Sequence, residues 1–266
     1  MRTTILSFGL TAAAIGSGHT AAAQTTDTSS ATTLSVAYDL RVVSRYLWRG
    51  YDLSRGRPAA QLSVELWTAQ GLGVSAFGSG ALDRRTELDE VQLAVSYTRA
   101  LGAWELTACA FDYVATGTET APAGDPDRPD ATSTSVELAV TVARTVGDGG
   151  YAALTYSRGL GSAAGNGINL WLQGTLSFGG DRFAAEPYVQ LDYLDAYGAP
   201  ARLLDRFAGA EAGVPLAWIA GPVRLSLTGH VTVVPSSFVY GTNLDAAGGT
   251  ARVLPWASVG VSGEFD

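Results

Sequence analysis

Apolar and polar side chains alternate residue by residue through twelve separate runs of this chain, between Leu34 and Phe265. A period of two is the repeat of a β-strand with two unlike faces; a helix would scatter the same residues around its axis. In the first run Leu34, Val36, Tyr38, Leu40, Val42, Tyr46 and Trp48 fall on one face, and Asp39, Arg41, Arg45 and Arg49 on the other. Among the clearest later runs, one sets Val91, Leu93, Val95 and Tyr97 against Glu90 and Gln92. Another sets Val136, Leu138, Val140 and Val142 against Glu137 and Thr141. The third run, 71–80, is weak and Gly-rich. The fifth, 103–115, blurs at Phe111-Asp112-Tyr113 in the manner of a bulge, and the tenth, 206–214, is short and rich in Ala and Gly.

The connections have a rhythm of their own. After the even runs they are short and built of turn residues: Gln70-Gly71, Leu101-Gly102, Gly147 to Gly149, Gly179 to Asp181, and Trp218 to Pro222. After the odd runs they are longer and more polar, near 80–88, 116–131, 159–166, 195–205 and 235–250. Short turns at one rim and long loops at the other are the layout of a membrane barrel, whose strand number is even in single-chain bacterial examples. The first run also exceeds the ~9–11 residues a tilted strand needs to cross a bilayer. The expectation is an all-β fold, a closed antiparallel up-and-down transmembrane β-barrel of about 12 strands, over residues 34–266 as one domain.

The N-terminus fits an exported protein. Arg2, the apolar stretch Ile5 to Ile15 and the small residues Ala21-Ala22-Ala23 follow the order of a secretory signal. Residues 1–23 are read as a signal peptide that is removed, and the polar 24–33 as a flexible lead-in. The first residue after that site is Gln24, so no lipoprotein anchor is expected there. Beyond it, no stretch approaches the ~18 apolar residues of a membrane helix. Together these place the chain in the bacterial outer membrane. Aromatics near run ends, namely Tyr46, Trp48, Tyr51, Trp67, Tyr97, Trp104, Tyr113, Tyr193, Tyr240 and Phe265, are expected in the interfacial girdles.

Charge and chemistry narrow the function. All 17 basic residues are Arg and the net charge is −8, a poor match for nucleic acid, which needs a basic patch. Cys109 is the only cysteine, read as a small apolar filler. After the signal the one histidine is His230, which excludes His-based zinc and di-His iron sites within one chain. A Ser-His-Asp hydrolase would depend on His230, and no nucleophile elbow surrounds it. Gly159-Leu160-Gly161 lacks the spacing of a phosphate-binding loop, and the Asp125–Asp130 cluster, broken by two prolines, reads as a solvated loop rather than a calcium site. No catalytic residue, cofactor or metal site is expected, and the protein is not read as an enzyme.

Residues 44–61, SRYLWRGYDLSRGRPAAQ, resemble the opening of the TorF-type porin family of proteobacterial outer-membrane barrels. Ser44, Tyr46, Arg49, Gly50, Ser54, Pro58, Ala59 and Gln61 carry the resemblance. It implies an outer-membrane barrel and supplies no catalytic residues. Its class implies outer-membrane lipid, periplasmic chaperones and barrel-assembly machinery as partners.

The polar faces supply the candidate pore-lining residues: Asp39, Arg41, Arg45, Arg49, Glu65, Glu90, Glu137, Glu186, Asp192, Arg224 and His230. Glu65 is the expected partner of an inward Arg such as Arg45. Counting Glu105, Glu211 and Glu264 with the acids, and Arg158 with the bases, gives nine carboxylates against five arginines and an expected mild cation preference. The expected function is a porin-like passive channel for small hydrophilic solutes or ions. The alternatives are a non-conducting structural or surface-interaction barrel, and a soluble periplasmic barrel binding an apolar ligand.

Overall fold

A computed structural model describes residues 34–48, 51–52, 54, 57–82, 90–115, 134–160, 165–179, 182–195, 207–234 and 253–265. The expected signal and lead-in, Arg49, Tyr240 and the 116–131 loop lie outside them. The elements are β1 (Leu34–Val43), β2 (Leu47–Trp48), β3 (Tyr51–Asp52), β4 (Ala59–Thr68), β5 (Leu72–Ala81), β6 (Glu90–Leu101), β7 (Trp104–Ala115) and β8 (Thr134–Val146). They continue with β9 (Gly150–Leu160), β10 (Gly165–Gly174), β11 (Leu176–Phe178), β12 (Phe183–Ala185), β13 (Tyr188–Asp195), β14 (Phe207–Ala220), β15 (Val223–Val233) and β16 (Val253–Phe265).

Fourteen of these form one antiparallel sheet that closes when β1 pairs with β16 on one side and β4 on the other. Two barrel strands are interrupted. β12 and β13 are separated by Glu186-Pro187, where proline has no N–H for the ladder. β10 and β11 part opposite, at Thr175. Counting each interrupted pair once gives a closed barrel of twelve strands, with β2–β3 as a separate small hairpin.

Each of the five short turns carries one glycine with positive φ: Gly71, Gly102, Gly147, Gly179 and Gly221. Gly71 shows why. At φ 88° a Cβ there would lie 2.0 Å from the Thr98 carbonyl oxygen. These turns and both ends of the barrel share one rim, since Val36 is paired with Phe265 and Leu34 with Thr68.

The alternation works as a barrel in lipid requires. Outward positions are large, apolar and exposed, as with Leu93 (56 %), Leu154 (52 %) and Leu227 (58 %). Inward positions on the same strands are buried and mostly polar, such as Gln92, Thr155 and Thr228. Near the short-turn rim the outward face changes character: Arg144 lies over the Trp104 ring at 5.0 Å, and Arg99 is exposed one strand beyond. Aromatic and Arg side chains there match an interfacial girdle. Tyr97, Trp104 and Phe265 are exposed as expected for it.

Four expectations need correction. Tyr113 and Trp67, expected in the girdles, follow the inward parity of Phe111 and Glu65 on their strands, and Tyr113 meets the buried Phe111 ring edge-on at 5.6 Å. β7 has no bulge at Phe111-Asp112-Tyr113; its pairing with β6 and β8 is unbroken there, and the register shift falls at Asp192/Tyr193. The tenth strand, β14, is long and runs to Ala220, so the turn is only Gly221-Pro222. Tyr46 is 5 % exposed inside the barrel, not in a girdle, because the chain bends at Ser44-Arg45 and breaks the parity of β1.

Candidate functional site in the barrel interior

Side chains of alternate residues on one strand face lie two rungs apart, close enough for long polar groups to meet. Several interior contacts are of this kind. Arg41 donates from Nε and Nη2 to the two oxygens of Asp39, at 2.5 and 2.6 Å. Gln92 donates to Glu90 at 2.6 Å, and Gln190 to Asp192 at 2.7 Å. Asn169, on the neighbouring strand, donates to the other Asp192 oxygen at 2.8 Å. Arg224 forms a two-pronged pair with Glu186, with Nη1 3.0 Å from Oε1 and Nη2 bonded to Oε2. A fork of this geometry compensates a carboxylate that is only 1 % exposed.

A larger network links β13 to β16. A carboxylate only accepts, so Tyr188 Oη donates to Glu211 Oε1. Its oxygen then accepts from His230 Nδ1–H at 2.6 Å, and His230 Nε2 shares a hydrogen bond with Ser258 Oγ at 3.0 Å. Thr232 Oγ1 donates to Glu211 Oε2 at 2.9 Å, and Trp256 Nε1 donates to Thr232 at 3.1 Å. Aromatic rings run through the same region. Trp171 stacks on Tyr188 at 4.4 Å, and His230 on Trp256 at 3.5 Å. Gly213 leaves room for this packing, since a Cβ there would lie 2.5 Å from the Tyr188 ring.

The order Ser258–His230–Tyr188–Glu211 has the sequence of a nucleophile, a base and an acid. Ser258 is paired with Val43 on one side and Thr228 on the other, so its backbone belongs to two ladders, and the His230 ring is covered by Trp256. Preorganised donors aimed at an oxyanion are what acyl transfer needs.

At the long-loop end an apolar cluster fills part of the interior. Val43, Tyr46, Leu47, Ala59, Phe77, Ala208, Val234, Leu254 and Trp256 pack together there. The segment after β1 enters this cluster. Ser44 N–H still bonds Ala257 O at 2.8 Å; beyond it the chain turns inward, and Tyr46 Oη donates to Glu90 Oε2 at 2.8 Å. Ser54 Oγ accepts from Tyr46 N–H at 2.7 Å.

Of the residues singled out from sequence, Asp39, Arg41, Glu65, Glu90, Glu137, Glu186, Asp192 and His230 are buried on the interior face, and Arg224 is partly buried there. Arg45 is half-buried just past the end of β1. Glu65 does not meet it. Glu65 is opposite Ala37, six residues before Val43, which is about 20 Å along the strand. Arg158 faces outward beside Tyr156 and leaves the interior count. Sequence reasoning passed over Trp171, Tyr188 and Trp256, although each shares the parity of a polar-face residue on its own strand.

No family model matches the sequence, and no curated protein matches it. Its fold is similar to solved outer-membrane porins. The KdgM porin superposes with a TM-score of 0.55 at 12% identity, covering 87% of this chain and 99% of that one. The same porin in complex with disordered oligogalacturonate gives 0.53 at 11% identity, with coverage of 87% and 99%. The NanC porin gives 0.54 at 13% identity, covering 85% and 98%. At these identities the likeness concerns the fold, which is of the outer-membrane porin type.

Proposed function

We propose that this chain is a passive outer-membrane channel for small hydrophilic solutes and ions, with a preference for cations. One observation carries the reading: the charge of the interior face. Asp39, Glu65, Glu90, Glu105, Glu137, Glu186, Asp192, Glu211 and Glu264 occupy inward positions, against Arg41 and Arg224 on the same strand faces and the half-buried Arg45 and Arg57 at the strand ends near the long loops. Arg41 and Arg224 are held by Asp39 and Glu186. An acidic interior concentrates cations and repels anions. The oligogalacturonate of the KdgM complex is a polyanion, and an acid excess of this size disfavours such a cargo here.

In this reading Asp39, Arg41, Arg45, Arg49, Glu65, Glu90, Glu137, Glu186, Asp192, Arg224 and His230 line or brace the path. The protein carries out no catalysis. Residues 1–23 direct export and are removed, and assembly uses the periplasmic chaperones and insertion machinery common to such barrels. The motif at Ser44 to Gln61 makes TorF-type porins the family of choice.

A second reading, a non-conducting structural or surface-interaction barrel, draws on the dense bonding among Tyr188, Glu211, His230 and Trp256. Solute entry into vesicles separates the two. Protein reconstituted into liposomes is expected to admit small cationic and neutral solutes faster than anionic ones of equal size. Vesicles that remain as tight as protein-free controls would refute the channel and favour the structural barrel.

A further inference from the structure

The bend after β1 turns Tyr46 and Leu47 into the barrel interior. Tyr46 follows β1, yet its hydroxyl bonds Glu90 at the start of β6. Three strand-to-strand steps separate β1 from β6, about 14 Å along the wall at ~4.8 Å per step. Tyr46 and Leu47 are 5 % and 7 % exposed, and they pack with Phe77 from β5 and with Leu254 and Trp256 from β16. Side chains from opposite flanks of the first strand therefore converge on this piece in the long-loop half of the interior.

Both ends of the Tyr46 side are fastened. Its backbone N–H is held by Ser54, and its hydroxyl shares Glu90 with Gln92, so both Glu90 oxygens are occupied. Buried polar bonds of this kind fix one geometry, because breaking either leaves a buried group unsatisfied.

We propose that Tyr46 and Leu47 form a fixed strap that sets the narrowest point of the path, with Glu90 as the carboxylate held at that point. The proposal rests on the channel reading. The strap limits passage to small hydrated cations and small neutral solutes, and Tyr46 and Leu47 determine the size cut-off.

Single-channel recording of the full protein in planar bilayers tests it, with polyethylene glycols of graded size as the probe of the cut-off. Folding of each variant is checked by heat-modifiable gel mobility. Tyr46→Ala is expected to raise unitary conductance roughly twofold and to admit larger polymers, since the ring that narrows the path is gone. Leu47→Ala tests the same strap should Tyr46→Ala fail to fold, and is expected to shift both readings in the same direction. Tyr46→Phe keeps the ring and loses the clamp, so mean conductance stays near wild type with greater open-channel noise. A conducting wild type whose conductance and cut-off are unchanged in the alanine variants overturns the strap alone. Silence from wild type and variants alike overturns the channel reading and the strap with it.

Discussion

Placing arginine at successive outward positions of β8 measures how the barrel sits in lipid. A strand tilted by ~40° gains about 2.5 Å of membrane depth per residue, so the thirteen residues of β8 span about 30 Å. Val140 lies at the middle of Thr134–Val146, at the midplane. Val136 and Arg144 each lie four residues away, about 10 Å in depth. The apolar band of such a barrel is ~25 Å tall, so both are near its edges and Val140 is at its centre. The native Arg144 already occupies one edge, against Trp104. Val140→Arg is therefore expected to cost about 2–4 kcal/mol, and Val136→Arg about 0–1 kcal/mol. Reversible guanidinium unfolding in lipid vesicles, followed by tryptophan fluorescence, reads both values. Equal costs at the two sites, or a negligible cost at Val140, would refute the placement of the outward face in hydrocarbon.

The same unfolding assay reads three further predictions, two in the interior and one in the turns. Arg224→Met leaves the buried Glu186 without its counter-ion and is expected to cost about 3–5 kcal/mol; the double variant with Glu186→Gln should recover much of that. Tyr188→Phe removes the hydroxyl between Glu211 and His230 and is expected to cost about 1–3 kcal/mol; a neutral result would mean that the bond network does not brace this wall. Gly71→Ala meets both a positive φ and the Thr98 carbonyl, whereas Gly102→Ala meets only the φ, so the first should destabilise more than the second.

The strands were legible because each has one face in lipid and one inside, and the period of two survives wherever both faces are sampled. Even β14, rich in Ala and Gly, belongs to the pattern. Its inward Gly213 and Ala217 are small where bulk is supplied by neighbours such as Tyr188, so low contrast in the sequence marked close packing rather than a short strand. Tyr46 escaped the pattern because parity holds only while the strand stays straight, and the chain bends at Ser44-Arg45. Pairing was the least legible part. Arg41 found its partner two residues away on its own strand, Arg224 found one thirty-eight residues back, and neither could be ranked without the register.

The reversal potential of the purified protein in a planar bilayer under a potassium chloride gradient tests the central claim most directly. An acidic interior in which Arg41 and Arg224 are held by carboxylates predicts stepwise currents that reverse toward the potassium equilibrium potential. Reversal toward the chloride potential, from channels of the same folded protein, would contradict it.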